Sequence, residues 1–560
     1  MQRKSINYAA SVLLAASLSS MIWYEVSAGD FESAAQLTAG CAGVTGDSSS
    51  AEAPRIGSID VVVEEVFDQA NPQENHAPYR VANALHYATR EKTIRQQLLF
   101  KEGQVLNLRD LNETARLLRG RRYLYDASVQ PVACHPESKT VDVQVRVRDV
   151  WSMSPGVSFG RKGGANSSSL VFEDENFLGR GKRISIGRGQ NVDRSSVEFN
   201  YDDPNVLGSW WRSQAQYSDN SDGFAQELVL ERPFYSLDSR WEFGIEGKTL
   251  EQRTSRYELG ESMDAFDDHT EKFGIYGGWS DGLRNGWARR WLTGVRFDSS
   301  RFSPTEGVDL LAALPQDRRL AYPWVGVELI EDAFDTTHNQ DQLQRTEDVH
   351  FGRRFRAELG FTTPSFGSDR SATLLDVRAG SGYRLNEGVD SLFFITQAST
   401  RMEGSSLRDG LLSGEARFYH RYNSNRLFFA GLSAQQSFNA DLDHQLLIGG
   451  DTGLRGYPLR YQGGTGAVTA TVEERFFTNW YPLRLARVGA AVFADTGRTF
   501  GKDVFGQTPT GLLSDVGFGL RLGNSRSSLG NVLHLDVAFP LSNSSNASSP
   551  QFLIQTKTSF

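Results

Sequence analysis

From about residue 152 to the end of the chain, apolar and polar residues alternate with a period of two. That is the spacing at which one face of a β-strand meets an apolar environment and the other a polar one. The alternation comes in about eighteen segments, from 184–189 to 552–560, separated by Gly, Asn, Asp and Ser clusters. Two weaker segments lie near Val157 and Leu170. Trp241, Trp279, Trp291, Trp324 and Tyr383 sit at segment ends, as in the aromatic girdles of transmembrane β-barrels. The pattern predicts a barrel over residues 151–560.

Residues 55–150 have a different rhythm. Residues 59–67 read as a strand. Residues 80–89 and 92–100 have helical spacing, with Ile94, Leu98 and Leu99 clustered on one side before Lys101-Glu102-Gly103 stops the run. A further helix starts at Asn107 or Asp110, carries Leu111, Ala115, Leu117 and Leu118, and ends near Gly120. Residues 124–132 and 140–150 alternate, with Val141, Val143, Val145 and Val147 on one face. These elements predict one small α+β domain.

Composition and charge narrow the class. The mean hydropathy of −0.42 and the absence of an internal run of 18 apolar residues argue against transmembrane helices. They are compatible with a barrel, in which lipid-facing and lumen-facing residues alternate. A net charge of −9 gives no basic footprint for nucleic acid. Residues 1–28 have the layout of a secretory signal: Arg3 and Lys4, an apolar run, then Val26-Ser27-Ala28. Residues 29–54 read as a flexible leader. Of the two cysteines, Cys41 and Cys134, an exported chain is expected to make a disulfide, with two free thiols as the alternative. No set of residues has metal-ligand spacing, and no cofactor is expected.

The most conspicuous non-strand stretch is 449–458, with four glycines, a proline and a central Arg455. Two carboxylates on the following alternating segments could meet it. If Asp495 faces the lumen, Phe493, Ala491 and Gly489 join it, and Ala494, Val492, Ala490 and Val488 face lipid. If Glu473 faces the lumen, so do Thr471, Thr469 and Arg475. The forked donors of an arginine suit two carboxylates. Glu474 points to lipid by the same parity, so it lies either near a rim or at a bulge, and it competes with Glu473 as the partner of Arg455.

Several stretches resemble one family. Residues 93–103 (TIRQQLLFKEG), Leu117-Leu118-Arg119 and Tyr123-Leu124-Tyr125-Asp126-Ala127 look like a POTRA domain, here with an insert at about 68–87. Asn176-Phe177-Leu178-Gly179-Arg180-Gly181, Leu454-Arg455-Gly456-Tyr457, Glu473-Glu474-Arg475 and Phe493-Ala494-Asp495-Thr496-Gly497 resemble, in order, motifs of the BamA/TamA-type outer-membrane assembly factors. Phe552, Ile554 and Phe560 lie on one face of a last segment that resembles a barrel recognition strand. The resemblance implies an all-β transmembrane barrel of about 16 antiparallel strands. Surplus segments would then be hairpin extensions, or the barrel is larger. It implies one POTRA domain in the periplasm and a lumenal loop tip, Leu454 to Tyr457, held by the wall residues Glu473, Arg475, Phe493, Asp495 and Gly497.

The implied function is insertion or translocation of proteins at the bacterial outer membrane. The partners would be outer-membrane lipid, unfolded outer-membrane or secreted clients, and periplasmic accessory proteins. The alternatives are a two-partner secretion transporter with a dedicated substrate, and a passive channel. No enzyme is expected. Gly156-Val157-Ser158-Phe159-Gly160 matches a nucleophile motif by letters but lacks the strand-turn-helix context that motif needs. His269, His338, His350 and His444 read as solvated loop residues.

Overall fold

The computed structural model describes residues 54–557, except 510, 529–531 and 542–549. The expected signal and most of the leader, Cys41 and Phe560 lie outside the described residues.

The N-terminal domain is a three-stranded sheet covered by helices. Its elements are β1 (Arg55–Glu64), α1 (Ala77–Leu85), α2 (Glu91–Arg95), α3 (Leu108–Arg119), β2 (Leu124–His135) and β3 (Thr140–Asp149). The sheet order is β1-β3-β2, with β1 parallel and β2 antiparallel to β3. The alternation in β3 explains its central place: Val141, Val143, Val145 and Val147 are all buried. Burial of each stabilises the domain by about 1.5–3 kcal/mol. They pack on Leu111, Ala115 and Leu118, one face of α3. Asn107 caps α3, its side chain accepting from the Arg109 amide at 3.1 Å, which decides between the two candidate caps. The helix expected over 92–100 is shorter: α2 ends at Arg95, and a turn follows in which Gln97 donates to the Tyr123 hydroxyl at 2.8 Å. The insert between β1 and α2 holds α1, which buries none of its own residues. Cys134 is disulfide-bonded.

The rest of the chain forms a closed barrel of 20 strands, from Met153–Lys162 to Gln551–Lys557. This corrects the expected count of about 16. Every alternating segment enters the wall, including the two weak ones near Val157 and Leu170, so no candidate strand is left over as a separate extension. Extension beyond a bilayer comes instead from strand length. Trp241–Glu258 and Glu261–Arg284 have 18 and 24 residues, where roughly 9–11 suffice to cross. The outward face is apolar: Leu228, Ile245, Val295, Val325, Leu432 and Phe518 are all exposed. A closed barrel satisfies every backbone group between neighbouring strands, which is what lets it stand in hydrocarbon. The chain is thus a closed β-barrel with an apolar outer face, preceded by a POTRA-like domain.

Closure is made by the first and last strands, where Ile554↔Arg161 is the one register pair among the described residues. Two small strand pairs stand outside the wall. Leu446–Ile448 with Gln462–Gly464 forms the base of the 449–458 loop. Phe334–His338 with Thr346–His350 forms a hairpin between the wall strands Arg318–Glu331 and Arg353–Thr362. His338 and His350 belong to this hairpin and His269 to a wall strand, so these three are not loop residues as expected.

The POTRA-like domain docks over the end of the barrel at which the wall begins. Asn176 donates to the Thr89 hydroxyl at 2.8 Å, and the Thr93 hydroxyl donates to the Gly179 carbonyl at 2.9 Å. The Asn176–Gly181 stretch is therefore a docking element. Arg526, buried, donates to the Val66 carbonyl and pairs with Glu74.

Candidate functional site

The 449–458 loop enters the barrel from the end opposite the POTRA-like domain. Its tip is held first by packing. Leu454 and Tyr457 are fully buried beside Ile448, Tyr461, Ala467 and Leu513. The Tyr457 hydroxyl donates to the Ser514 carbonyl and accepts from the Ser514 amide, both at 3.0 Å. Two glycines are required by close approach. A Cβ on Gly456 would lie 2.6 Å from Cβ of Asp515, and a Cβ on Gly497 would lie 2.9 Å from Cγ2 of Thr469 and 3.3 Å from Cδ1 of Leu454. Gly497 therefore makes room in the wall for the apolar residue of the loop tip.

Arg455 is buried and holds two carboxylates from neighbouring wall strands. Its Nε and Nη2 donate to Asp495 at 2.7 and 2.8 Å, a bidentate pair, and its Nη1 donates to Glu473 at 2.6 Å. The guanidinium carbon lies 3.3 Å from the centroid of the Phe493 ring, so a cation–π contact completes the site. The local cause is register. Gly466–Phe477 and Ala486–Phe500 pair with Thr471 opposite Asp495 and Glu473 opposite Phe493, and all four point inward. The Thr471 hydroxyl donates to Asp495 at 2.8 Å. Val468, Val472, Phe476 and Val492 are exposed on the outer face. Val488 keeps the same outward register but is buried, its amide donating to the Trp480 carbonyl and its carbonyl accepting from the Thr478 amide.

Glu474 does not compete for Arg455. It points outward, pairs with Arg426, and the wall runs through it without a bulge. Arg426 follows the turn at Ser424 and Asn425, so this charge sits near a rim, where an outward carboxylate costs little.

Arg475 does more than line the wall. Its Nε donates to Glu473 at 3.0 Å, and its Nη1 donates to the Gln340 carbonyl at 2.7 Å and to Asp341 at 3.1 Å. Gln340 and Asp341 belong to the hairpin that enters from the POTRA side. Fully buried Arg521 pairs with Asp536 and stands 3.9 Å from Glu473. Asp515 lies opposite Asp495 across the next strand pair. Asp341, Asp515, Arg521 and Asp536 were not singled out from sequence. The last three sit at inward parity on alternating strands, a signal that could have found them; Asp341 sits on the hairpin, where no parity applies.

On the last strand Phe552 is exposed outward, Ile554 is half-buried and Leu553 is buried against Phe493 and Ala538. Ser158 lies mid-strand, its hydroxyl 2.6 Å from that of Ser169, with no helix after it. Among the described residues no group of acidic, His or Cys side chains could hold a metal ion.

Residues 85–149 match the family model POTRA, described as a surface antigen variable number repeat. No curated protein sequence matches the chain. Among solved structures, the chain is similar to BamA from Haemophilus ducreyi lacking POTRA domains 1–3, with 14% identity, 89% of this chain and 84% of that one covered, and a TM-score of 0.36. It is also similar to CdiB from Acinetobacter baumannii (10% identity, 90% and 74% covered, TM-score 0.41) and CdiB from Escherichia coli (12% identity, 90% and 76% covered, TM-score 0.46).

Proposed function

We propose that this protein inserts polypeptides into, or moves them across, the bacterial outer membrane, with its POTRA domain in the periplasm and without enzymatic chemistry. The observation that carries the reading is the combination of a POTRA domain docked on a barrel with a wall that, among the described residues, closes through very little pairing. A single register pair among the described residues joins the first and last strands. The wall strand Trp241–Glu258, by contrast, is paired along its whole length with Glu261–Arg284. A seam of that kind is the cheapest place in the wall to admit a client strand, since few ladder bonds are lost. Strand β2 lies at an edge of the POTRA sheet, where an extended client can add as a further strand.

The test is site-specific photocrosslinking in cells from Phe159 and Phe552, both exposed on the outer face of the seam strands. Crosslinks to nascent barrel proteins are expected. Crosslinks to one soluble exported protein would instead identify a dedicated secretion transporter. Absence of any polypeptide adduct, with unchanged ion conductance, would leave a passive channel and overturn the reading.

A further inference from the structure

The hairpin 334–350 is a second lumenal plug, and its contacts form a continuous line from the POTRA domain to the 449–458 loop. Its tip turns into the barrel. Leu343 is buried in an apolar cluster with Tyr419, Leu427, Phe477, Ala491 and Val532 of the wall. Asn339 donates to the Ser424 carbonyl at 3.0 Å, and the Tyr419 hydroxyl donates to Asp341 at 3.3 Å. One side of the hairpin, from base to tip, is held by the POTRA domain. Arg119 Nε donates to Asp348 at 2.8 Å, and the Tyr125 hydroxyl donates to the Gln344 carbonyl at 2.8 Å. The Thr346 hydroxyl donates to Asp126 at 2.9 Å, and the Arg116 guanidinium lies 3.4 Å from the centroid of the Phe334 ring.

The two plugs meet on one wall pair. Arg475 takes the hairpin through Asp341 and the Gln340 carbonyl, and holds Glu473; Glu473 takes the loop through Arg455. Between the plugs lies a cavity of about 370 Å³, lined by Asp341 of the hairpin, Asp451 and Arg455 of the loop, and Glu473 and Arg475 of the wall.

We propose that the hairpin is a gate whose closed position is set by POTRA docking, and that releasing it from the POTRA domain loosens the loop on the far side of the lumen. The physical basis is shared occupancy. Arg475 divides its donors between the hairpin and Glu473. When Asp341 leaves, a buried arginine keeps one carboxylate instead of two, and Glu473 is drawn toward Arg475 and away from Arg455. A POTRA domain displaced by any partner would thus be felt at the opposite mouth. The inference does not depend on the identity of a client, so its test needs none.

The experiment uses the full chain in planar lipid bilayers, with proteolysis of the 449–458 loop in liposomes as a second readout. Asp348→Ala and the double variant Tyr125→Phe/Thr346→Val weaken the hold of the POTRA domain on the hairpin without touching the wall cluster, leaving the Arg345 bonds to the Arg119 and Leu124 carbonyls in place. Asp341→Asn removes the charge that pairs with Arg475 and leaves the Gln340 carbonyl bond. Each is expected to raise both the open probability and the loop cleavage rate about tenfold, the effect of losing roughly 1.4 kcal/mol of hydrogen bonding. The Tyr125/Thr346 variant, which alters no charge, guards against misfolding of Asp348→Ala. Raised conductance with unchanged loop cleavage would overturn the link between the plugs. Unchanged conductance in all three variants would overturn the gate itself.

Discussion

Arg455→Ala is the sharpest test of what seats the 449–458 loop. The substitution leaves Leu454 and Tyr457 in their apolar cluster, a contribution of about 1.5–3 kcal/mol for each side chain. It removes the bidentate pair with Asp495, the bond to Glu473 and the contact with Phe493. The two carboxylates then differ. Glu473 still has Arg475, whereas Asp495 keeps the Thr471 hydroxyl and a long 3.5 Å bond from the residue 455 amide but no cation, and faces Asp515 across the strand pair. Removing one partner of a buried ion pair costs about 3–5 kcal/mol, because the other charge stays buried. The lower figure is appropriate, since the loop can swing out and admit water to Asp495. A loss of about 3 kcal/mol raises the loop opening constant on the order of 100-fold. Hydrogen exchange of peptides covering 446–464, followed in nanodiscs, reads that change directly. Arg455→Lys keeps a charge but not the fork, so it should fall between the parent and Arg455→Ala. Arg455→Ala combined with Asp495→Asn removes the orphaned charge and should recover at least half of the loss. Unchanged exchange in Arg455→Ala would refute the reasoning and leave packing alone as the anchor.

Other substitutions separate neighbouring effects. Glu474→Ala removes a partly exposed rim pair and should change thermal stability by less than about 1 kcal/mol, measured as the temperature of heat-modifiable gel mobility. Gly456→Ala forces a Cβ against Asp515 and should loosen the loop by about 1–3 kcal/mol in the same exchange experiment. Arg526→Ala leaves the buried Glu74 of the POTRA domain with Arg148, 3.8 Å away, as its remaining cation and should weaken docking by about 3 kcal/mol, seen as faster proteolysis within residues 55–150. Burial within the hairpin, with Asp341 adding to it, pushes the Glu347 carboxyl up to about 7. Asp341, Arg345 and Arg421 are the charged groups facing it. A raised carboxyl favours the seated hairpin at low pH and loses that contribution as pH rises from the usual carboxylate range through 7. Hairpin proteolysis should therefore accelerate between about pH 5 and 8 in the parent and stay flat in Glu347→Gln.

Much of the site was legible because strand parity is strict. Once Asp495 is placed inward, Phe493 and Gly497 follow, and the same rule on the preceding strand brings Glu473 and Arg475 to one face. The register that seats both carboxylates on Arg455 needs only a short connection between the two strands. Other features were illegible for equally physical reasons. The hairpin 334–350 has too few residues per strand for a periodic signal, and its partners come from the POTRA domain and at least five different wall strands. Glu474 was ambiguous because parity fixes a face but not a height, and only the turn before Arg426 places it at a rim. The strand count failed through the resemblance rather than the pattern: the alternating segments, counted with the two weak ones, match the observed wall.

That count bears on why the lumen holds two inserts. Barrel diameter grows roughly linearly with strand number, and barrels of about 16–18 strands already leave an aqueous channel unless something fills it. A wall of 20 strands encloses more than one ten-residue loop can occupy. The loop tip lies against the wall from Gly466–Phe477 to Leu513–Asn524, through Glu473, Asp495 and Ser514. The hairpin takes up space nearer Tyr419, Leu427 and Phe477. Filling the lumen from both ends creates a problem that one plug does not have, because two independently seated inserts would open independently. A shared ion pair resolves it. With Glu473 and Arg475 two residues apart on one inward face, each insert takes a donor or acceptor from the same pair, and displacement of either one changes the hold on the other. The cost of a wide barrel is then also the means by which its two mouths can communicate.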